Sequence, residues 1–323
     1  MDYTMQQIAD RIKRAKSVLI LSHMRPDGDA IGRALALYNA LQILKIRGQV
    51  CVETEIPSNL RFVKGVENVM RKPQEEYDLL VTVDCSDAER LGELQTEFFK
   101  AKRTRIDTIN IDHHVSNTRF AQYNYVQKGA ANCLHIAKLI EALGVSLDKA
   151  IAEYLLLGLL TDSGNFSHDD VDEGCMLLAA KLLQAGADIA HYNYELFKKQ
   201  SKARAKLFAK TMGGMRYYHD DRFAAITITQ KALEECGADQ GMTEGFVDFP
   251  LNVESVEIAA SLLEVRKGQY KISLRSKNYA DVNKLAGTFG GGGHIRAAGC
   301  MLFGDIEEAL DKLSYVASQY LED

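Results

Sequence analysis

The chain of 323 residues has no tryptophan, only four prolines, and six cysteines that never form a CxxC pair. Scattered cysteines are typical of buried reduced thiols and argue against a disulfide framework or a structural zinc site. No apolar run reaches the roughly 18 residues that a membrane span needs. The opening stretch "MDYTMQQIADRIKRAK" has no signal-peptide core. We therefore expect a cytoplasmic protein with no membrane contact.

The chain also has no excess of positive charge. The chain has 39 lysines and arginines against 44 aspartates and glutamates, so its formal net charge is -5. This balance argues against a protein that coats long nucleic acids by general attraction. It still allows a short anionic substrate in a cleft that is locally basic or lined by metal ions.

The length and the order of the apolar segments predict two α/β domains. Hydrophobic residues make up 46% of the chain and charged residues 26%, as in ordinary globular proteins, and 323 residues are too many for one typical core. Apolar strands alternate with helices in the first part, which predicts a doubly wound parallel sheet. Its predicted strands are "SVLILSH", "QVCVET", "DLLVTVDC" and "DTINIDHH". From Ala130 to about Met212 the pattern is almost continuously helical.

A different pattern follows Gly213. The segments "RFAAITIT", "SVEIAASLLEV" and "QYKISLRS" are predicted strands, and a helix is predicted near Asp281–Phe289. This is typical of a smaller, mixed α/β domain. We predict one domain over residues 1–212, with the functional centre, and a substrate-binding domain over residues 213–323.

Polar side chains accumulate where the predicted strands end. The stretch "LSHMRPDGDAIGRAL" (Leu21–Leu35) needs its proline and glycines for a turn, but it does not need a histidine and two aspartates as well. Ligands of an open parallel sheet bind beyond the carboxyl ends of its strands. We expect one site there, formed by His23, Asp27, Asp29, Asp84, Asp112, His113, His114 and Asp162.

Each of these residues has an ordinary explanation alone, as a turn residue, a helix cap or a core histidine. Together they would crowd carboxylates at one sheet edge, where like charges raise one another's pKa and destabilise the fold. A divalent metal ion removes that cost. Histidine and aspartate ligands without thiolate fit Mn²⁺, with Mg²⁺, Co²⁺ or Fe²⁺ as alternatives. This many ligands favours two ions about 3.5–4 Å apart, bridged by one carboxylate, an arrangement suited to phosphoryl transfer.

Four motifs resemble those of one known family. "HMRPDGDAIG", "VDCSD", "DHHVSN" and "LLTDSGNF" resemble, in order, the motifs of the DHH phosphoesterases. "GGGGHIRAAG" (Gly290–Gly299) resembles the glycine-rich signature of the DHH-associated substrate domain. The resemblance covers roughly residues 15 to 303. The order and spacing of five motifs make it specific, whereas GGGGH alone would be weak.

The resemblance implies two metal sites that share Asp84 as the bridging carboxylate. The implied ligands are His23, Asp27 and Asp84 for one ion, and Asp29, Asp84, His113 and Asp162 for the other. Asp112 and His114 are the implied catalytic residues. Asp112 would orient His113 through its ring N–H, and His114 would face the phosphate or its leaving oxygen. The alternative for His114 is a histidine satisfied by the backbone.

The predicted substrate contacts lie mostly in the second domain. The glycine run offers backbone N–H groups that can approach an anion closely, and an arginine on the strand "QYKISLRS" can grip a phosphate with two hydrogen bonds. The alternatives are a plain flexible loop and a solvated strand residue. The predicted substrate-binding residues are Asn117, Arg275, Ser276, Gly291, Gly292, Gly293, His294 and Arg296.

The compact two-domain form resembles the DHH members that cleave short oligoribonucleotides, above all dinucleotides, and dephosphorylate adenosine 3′,5′-bisphosphate. This resemblance implies short RNA and adenosine 3′,5′-bisphosphate as the binding partners, and it allows a homodimer. Hydrolysis of cyclic dinucleotides or their linear products remains open, as does a non-catalytic nucleotide sensor, although every ligand position is filled. Inorganic pyrophosphatases of the family do not carry the glycine-rich run. RecJ-like exonucleases are longer, and a zinc amidohydrolase would need more histidines.

Overall fold

The computed structural model describes residues 2–114, 116–127, 133–169 and 171–322. It divides into two compact units, Met1–Lys199 and Gln200–Asp323. The division precedes the helix Lys202–Met212, which the sequence analysis placed in the first domain. Leu207 of this helix packs with Ile226 and Phe246 of the second unit. The start of the predicted helical stretch, residues 130–132, lies outside the described residues.

The first unit contains a five-stranded sheet in which every pair of neighbours is parallel. The strand order is β2-β1-β3-β4-β5, which confirms the predicted α/β class. The strands are β1 (Ser17–Leu21), β2 (Arg47–Cys51), β3 (Leu79–Val83), β4 (Asp107–Asp112) and β5 (Tyr123–Val126). All residues of β1 and β3 are buried, as expected for central strands covered on both faces.

Helices cover both faces of this sheet. The first begins with the capping box of Thr4 and Gln7. On β1, Val18 and Ile20 belong to one core cluster, while Leu19 and Leu21 belong to another, because successive strand residues point to opposite faces. The helices are α1 (Met5–Arg14), α2 (Gly28–Ile43), α3 (Gln95–Arg103), α4 (Cys133–Ala142), α5 (Lys149–Asp162), α6 (Glu173–Gln184) and α7 (Ile189–Asn193).

The second unit contains a mixed six-stranded sheet in the order β10-β11-β9-β8-β7-β6. β7 and β8 are parallel, and the other pairs are antiparallel. Its strands are β6 (Arg216–Tyr218), β7 (Phe223–Ile228), β8 (Ile258–Arg266), β9 (Gln269–Ser276), β10 (Gly292–His294) and β11 (Ala297–Phe303). This sheet confirms the predicted mixed α/β class.

Four helices pack on the second sheet, in two separate core clusters. They are α8 (Lys202–Met212), α9 (Gln230–Cys236), α10 (Val282–Gly287) and α11 (Ile306–Ser318). Leu285 and Leu310 place α10 and α11 in one cluster, and Leu207 and Leu233 place α8 and α9 in the other. In the described part of both units, no helix combines the length and apolarity needed to cross a membrane.

Candidate metal centre

The carboxyl ends of β1, β3 and β4 deliver polar side chains to one edge of the first sheet. The described residues contain three groups whose potential ligand atoms lie within 4.8 Å of one another. Every aspartate and histidine that the sequence analysis assigned to this centre belongs to at least one group. The groups are His23, Asp27 and Asp84; Asp29, His113 and Asp162; and Asp84, Asp112, His113 and His114.

Asp84, directly after β3, lies between these groups. Its Oδ2 is 3.2 Å from Nε2 of His23. Its Oδ1 is 3.9 Å from Nε2 of His113 and 3.7 Å from Nδ1 of His114. The backbone of Asp84 has a φ of 56°, in the left-handed region that few residues other than glycine adopt. Asp84 thus belongs to two of the groups, and its role as a bridging carboxylate stays a prediction.

His23 and Asp27 face the second oxygen of Asp84. Nδ1 of His23 donates to the carbonyl of Met24 at 2.9 Å, which leaves Nε2 as the nitrogen able to bind a metal ion. Burial disfavours the charged form of His23, but the hydrogen bond and charge of Asp84, the Met24 carbonyl and the charge of Asp27 together outweigh burial and raise the pKa of His23. Oδ1 of Asp27 lies 4.0 Å from Nε2 of His23 and also accepts from the backbone N–H of Ala30. Asp27 therefore caps α2 and belongs to the centre.

Asp29 and Asp162 approach each other because α2 and α5 pack closely. Asp29 is fully buried on α2, and Asp162 is the last residue of α5. A Cβ atom on Gly158 of α5 would lie only 2.3 Å from Oδ1 of Asp29. Glycine at this position therefore provides the space that the Asp29 carboxylate occupies. His113 completes the group, with its Nε2 3.9 Å from Oδ2 of Asp162.

Arg33 is a charged residue of the centre that the sequence analysis missed. It follows Asp29 by four residues on α2 and is fully buried. Its Nη2 forms an ion pair with Asp29 and lies 3.7 Å from Oδ2 of Asp162, and its Nη1 is 3.2 Å from Oδ1 of Asp84. The signal in the sequence is the i, i+4 spacing from Asp29, which puts both side chains on one helix face.

The buried charges change the pKa values of two carboxyl groups in opposite directions. Burial alone would raise the pKa of Asp84, but the charge of Arg33 and the hydrogen bond from His23 hold it far below the ordinary value. Burial also raises the pKa of Asp162, and there Arg33 and His113 do not compensate.

Asp112 orients His114, a contact that the sequence analysis did not predict, while the predicted contact of Asp112 with His113 stays a prediction. Oδ1 of Asp112 accepts from Nδ1 of His114 at 2.8 Å, and this hydrogen bond raises the pKa of His114. Oδ2 of Asp112 accepts from Nδ2 of Asn117 at 2.6 Å. Asn117 was predicted to bind substrate; in the structure it is 6% exposed, and its amide also donates to Asn110. Asn110, a second residue that sequence reasoning missed, thus helps to hold Asp112.

The donor set fits a divalent metal ion. It combines imidazole nitrogens with carboxylate oxygens and contains no thiolate, which suits Mn²⁺ and related hard or borderline ions. Both oxygens of Asp29 and Oδ1 of Asp84 are buried and accept no hydrogen bond, a costly state for a carboxylate unless a cation lies close to it; the Arg33 guanidinium is the cation that the chain itself places there. In the group of His23, Asp27 and Asp84, Arg33 contacts Oδ1 of Asp84, whereas in the group of Asp29, His113 and Asp162 it contacts both carboxylates.

Comparison with known proteins identifies the family. The family model of the DHH family, N-terminal domain, matches residues 17–159, and that of the DHHA1 domain matches residues 222–323. A bifunctional oligoribonuclease and PAP phosphatase NrnA from Thermus thermophilus is 30% identical, over 96% of this chain and 92% of its own length. The chain belongs to the DHH family. This confirms the predicted family and the prediction of a hydrolytic phosphoesterase that depends on metal ions.

Further DHH relatives align over similar lengths. The NrnA of Bacillus subtilis is 22% identical, over 89% of this chain and 90% of its own length. The crystal structure of an exopolyphosphatase-related protein from Bacteroides fragilis superposes with a TM-score of 0.83 at 26% identity, over 98% of this chain and 96% of that one. Both units of the structure are therefore represented in these relatives.

In the DHHA1 domain, two neighbouring predicted residues lie on opposite faces of β9. Nε of Arg275 is 3.2 Å from Oδ1 of Asp248, and Arg275 lines a cavity of about 440 Å³ together with Ser261, Lys271 and Ser273. Ser276 is buried, and its Oγ donates to the carbonyl of Ala280 at 2.6 Å. The structure thus gives Ser276 a structural contact and leaves Arg275 beside a polar cavity.

The glycine run of the DHHA1 domain is largely used by the fold. The N–H of Gly291 donates to Ala286 at 2.9 Å, and that of Gly293 donates to Oδ1 of Asn283 at 2.8 Å. A Cβ atom on Gly291 would lie 2.2 Å from the carbonyl oxygen of Gly299. Gly292 pairs with Gly299 between β10 and β11, so these glycines permit a close strand approach.

The two polar residues after the glycines differ in their surroundings. His294 is exposed on β10. Arg296 donates to the carbonyl groups of Ala280, at 2.9 Å, and Asn278. Arg296 thus holds the segment that follows β9, while His294 presents its ring to solvent.

Proposed function

We propose that this chain hydrolyses short oligoribonucleotides, dinucleotides above all, to mononucleotides, and that it removes the 3′-phosphate of adenosine 3′,5′-bisphosphate. The carrying observation is the group of His23, Asp27 and Asp84 beside a histidine held by a buried aspartate. A metal site and an oriented proton donor are the two features that metal-dependent hydrolysis of a phosphate ester uses. The names of the Thermus thermophilus and Bacillus subtilis relatives support the two substrates.

The side chains of His23, Asp27 and Asp84 would hold the divalent ion. When bound, that ion supplies Lewis-acid stabilisation of phosphate charge and lowers the pKa of a bound water. Mn²⁺ fits the mixed imidazole and carboxylate donors best, and Mg²⁺ and Co²⁺ are the alternatives. Asp84, buried and shared by two groups, keeps its negative charge because Arg33 and His23 lie against it.

His114 is the proton donor of the proposed reaction. Because its Nδ1 is bound to Asp112, its Nε2 is the ring nitrogen available to a substrate. The Asp112 carboxylate stabilises the imidazolium, which is the form that can give a proton to the leaving oxygen. Asn117 and Asn110 fix Asp112 and act through it.

Arg275 and His294 are the proposed contacts to the part of the substrate that does not react. Arg275 lies beside the polar cavity on β9, and His294 is exposed on β10. The chain has no run of interleaved aromatics and lysines, which proteins that bind long single strands use for stacking. We therefore infer a preference for two nucleotides that declines with each addition. A cytoplasmic location and a homodimer are part of the same proposal.

The test is a comparison of substrates at fixed Mn²⁺, with EDTA as the metal-free control. It uses RNA of increasing length from dinucleotides upward, adenosine 3′,5′-bisphosphate and a cyclic dinucleotide. We expect kcat/KM to be highest for dinucleotides and to fall with length, and Asp84→Asn to lower kcat by several orders of magnitude. Asp78→Asn, at the opposite end of β3, is the matched control. Tight nucleotide binding without turnover would instead establish a sensor, and a flat length profile would contradict the preference for dinucleotides.

A further inference from the structure

Arg33 is the largest fully buried side chain among the described residues. A buried guanidinium is costly unless negative groups surround it. Three elements supply those groups: Asp29 comes from α2, Asp84 follows β3, and Asp162 ends α5. The guanidinium thus has carboxylates on several sides.

The same three carboxylates are three of the four ligands predicted for the second metal ion. The fourth is His113, whose Nε2 lies 3.9 Å from both Asp84 and Asp162. The guanidinium therefore lies against three of the four ligands of that set. It contacts Oδ1 of Asp84, whereas His23 faces the other oxygen, Oδ2. The first ligand set stays accessible to an ion while the second is filled.

Charge also opposes a second ion beside Arg33. Two divalent ions and the guanidinium would bring five positive charges to a centre with five carboxylates, Asp27, Asp29, Asp84, Asp112 and Asp162, one of which, Asp112, already pairs with His114. One ion and the guanidinium bring three positive charges, which the carboxylates of the centre can neutralise. Cations held a few ångströms apart in a buried site repel strongly because little water screens them.

Arg33 also lacks an obvious route out of the centre. It lies in the second turn of α2, and its neighbours Ile31, Ala34 and Leu35 are buried in the core. Its side chain has no exposed surface. Displacement by an incoming ion would move a charged group into apolar packing.

We propose that the guanidinium of Arg33 takes the place of one of the two metal ions, so that the centre binds a single exchangeable divalent ion at His23, Asp27 and Asp84. This inference rests on the proposed function only for the existence of a metal centre. Asp84 then bridges a metal ion and a guanidinium, not two metal ions.

Metal stoichiometry tests the inference without turnover. The native chain is equilibrated with Mn²⁺ by dialysis, the metal is counted by elemental analysis, and the electron paramagnetic resonance spectrum is recorded. We expect one Mn²⁺ per chain and the spectrum of an isolated ion. Arg33→Ser removes the charge and opens space, so we expect two ions per chain and the spectrum of an exchange-coupled pair. Arg33→Lys, which keeps the charge, and Arg11→Ser, at the remote ion pair with Asp107, should both bind one.

The outcomes separate this inference from the proposed function. Two ions bound to the native chain would overturn it, whether or not Arg33 had moved. One ion bound without hydrolysis of any phosphate ester would overturn the proposed function and leave the inference standing. If Arg33→Ser unfolds in EDTA, the melting temperatures of the variant and of the native chain are measured as the Mn²⁺ concentration is raised. A larger rise in the variant supports the inference, because its carboxylates depend on the added ions; an equal rise counts against it.

Discussion

Oδ1 of Asp112 lies 2.8 Å from Nδ1 of His114. The carboxylate is fully buried at the end of β4, while the imidazole, two residues later, is partly exposed. A rigid strand end thus fixes the orientation of a loop side chain at the metal centre. Because the carboxylate favours the charged ring, the pair sets both the position and the protonation of His114.

Asp112→Asn should lower kcat by about 100-fold, the order of magnitude of one general acid. The asparagine no longer stabilises the imidazolium, so the pKa of His114 falls from its raised value. If the protonated ring is the acid, the loss of activity at alkaline pH should begin at lower pH in the variant. The measurement is kcat against pH at saturating Mn²⁺, with metal content checked. Asp107→Asn, at the other end of β4, is the control; an alkaline limb that stays in place would refute the role.

Gly158→Ala should destabilise the protein by about 1–3 kcal/mol, the usual cost of overpacking a core. The new methyl group would overlap Oδ1 of Asp29, so the affinity for Mn²⁺ should change as well. Chemical denaturation and equilibrium dialysis measure the two effects. Gly287→Ala serves as the control, because no atom lies within 4 Å of its Cβ position. Equal stabilities of the two variants would mean that α2 and α5 can separate without cost.

His135 should make the free energy of unfolding depend on pH below neutrality. Burial lowers its pKa from 6.5 to about 4, and its Nε2 hydrogen-bonds to the carbonyl of Gln127. The unfolded chain takes up a proton near its ordinary pKa, but the folded chain does so only at lower pH. Stability from this group is therefore present above pH 6.5 and is lost as the pH falls from 6.5 to about 4.

The measurement is denaturant unfolding of the native chain and of His135→Phe at several pH values. The difference between neutral pH and about pH 4 should be smaller in the variant by up to about 3 kcal/mol. His191→Gln, which replaces an exposed histidine, is the comparison variant. If His135→Phe keeps the native dependence, the acid sensitivity comes from other groups.

Arg275→Ala should raise KM for dinucleotides by about tenfold, as expected for one lost charged hydrogen bond. Its effect on kcat should be small, because the proposed contact binds ground state and transition state alike. Ser276→Ala is the matched control on the opposite face of β9. It should leave KM unchanged and reduce stability, because its hydroxyl is bonded to Ala280. The readouts are KM and kcat for a dinucleotide and for bis(p-nitrophenyl) phosphate; equal losses on both substrates would place Arg275 at the chemistry instead.

The strands that carry the centre were predictable because continuous apolar runs indicate strands that are buried on both faces. "SVLIL" and "LLVTV" coincide with β1 and β3, and the aspartates and histidines after them follow from the geometry of parallel sheets. β5, with the sequence "YNYV", was not predicted. It is a four-residue edge strand without an apolar run, so its pairing with β4 is a tertiary effect.

Residues that work through partners distant in sequence were harder to predict. A charged residue in a helix usually faces solvent, so the role of Arg33 depends on carboxylates from β3 and α5 that the helix itself does not reveal. The glycine run was recognisable in the sequence, but its structural contacts were not. The partner of Gly293 is the side chain of Asn283, a contact that no local pattern indicates.

The positive φ of Asp84 affects which substitutions at this position preserve the fold. Asparagine and glycine adopt this backbone conformation more readily than other residues, and each is one nucleotide change away from either aspartate codon. The commonest single-base losses of this carboxylate would thus leave the bend after β3 intact. If Asp84 has the proposed role, a folded descendant that has lost hydrolysis is one base change away, and the residue at position 84 distinguishes it from an enzyme better than the fold does.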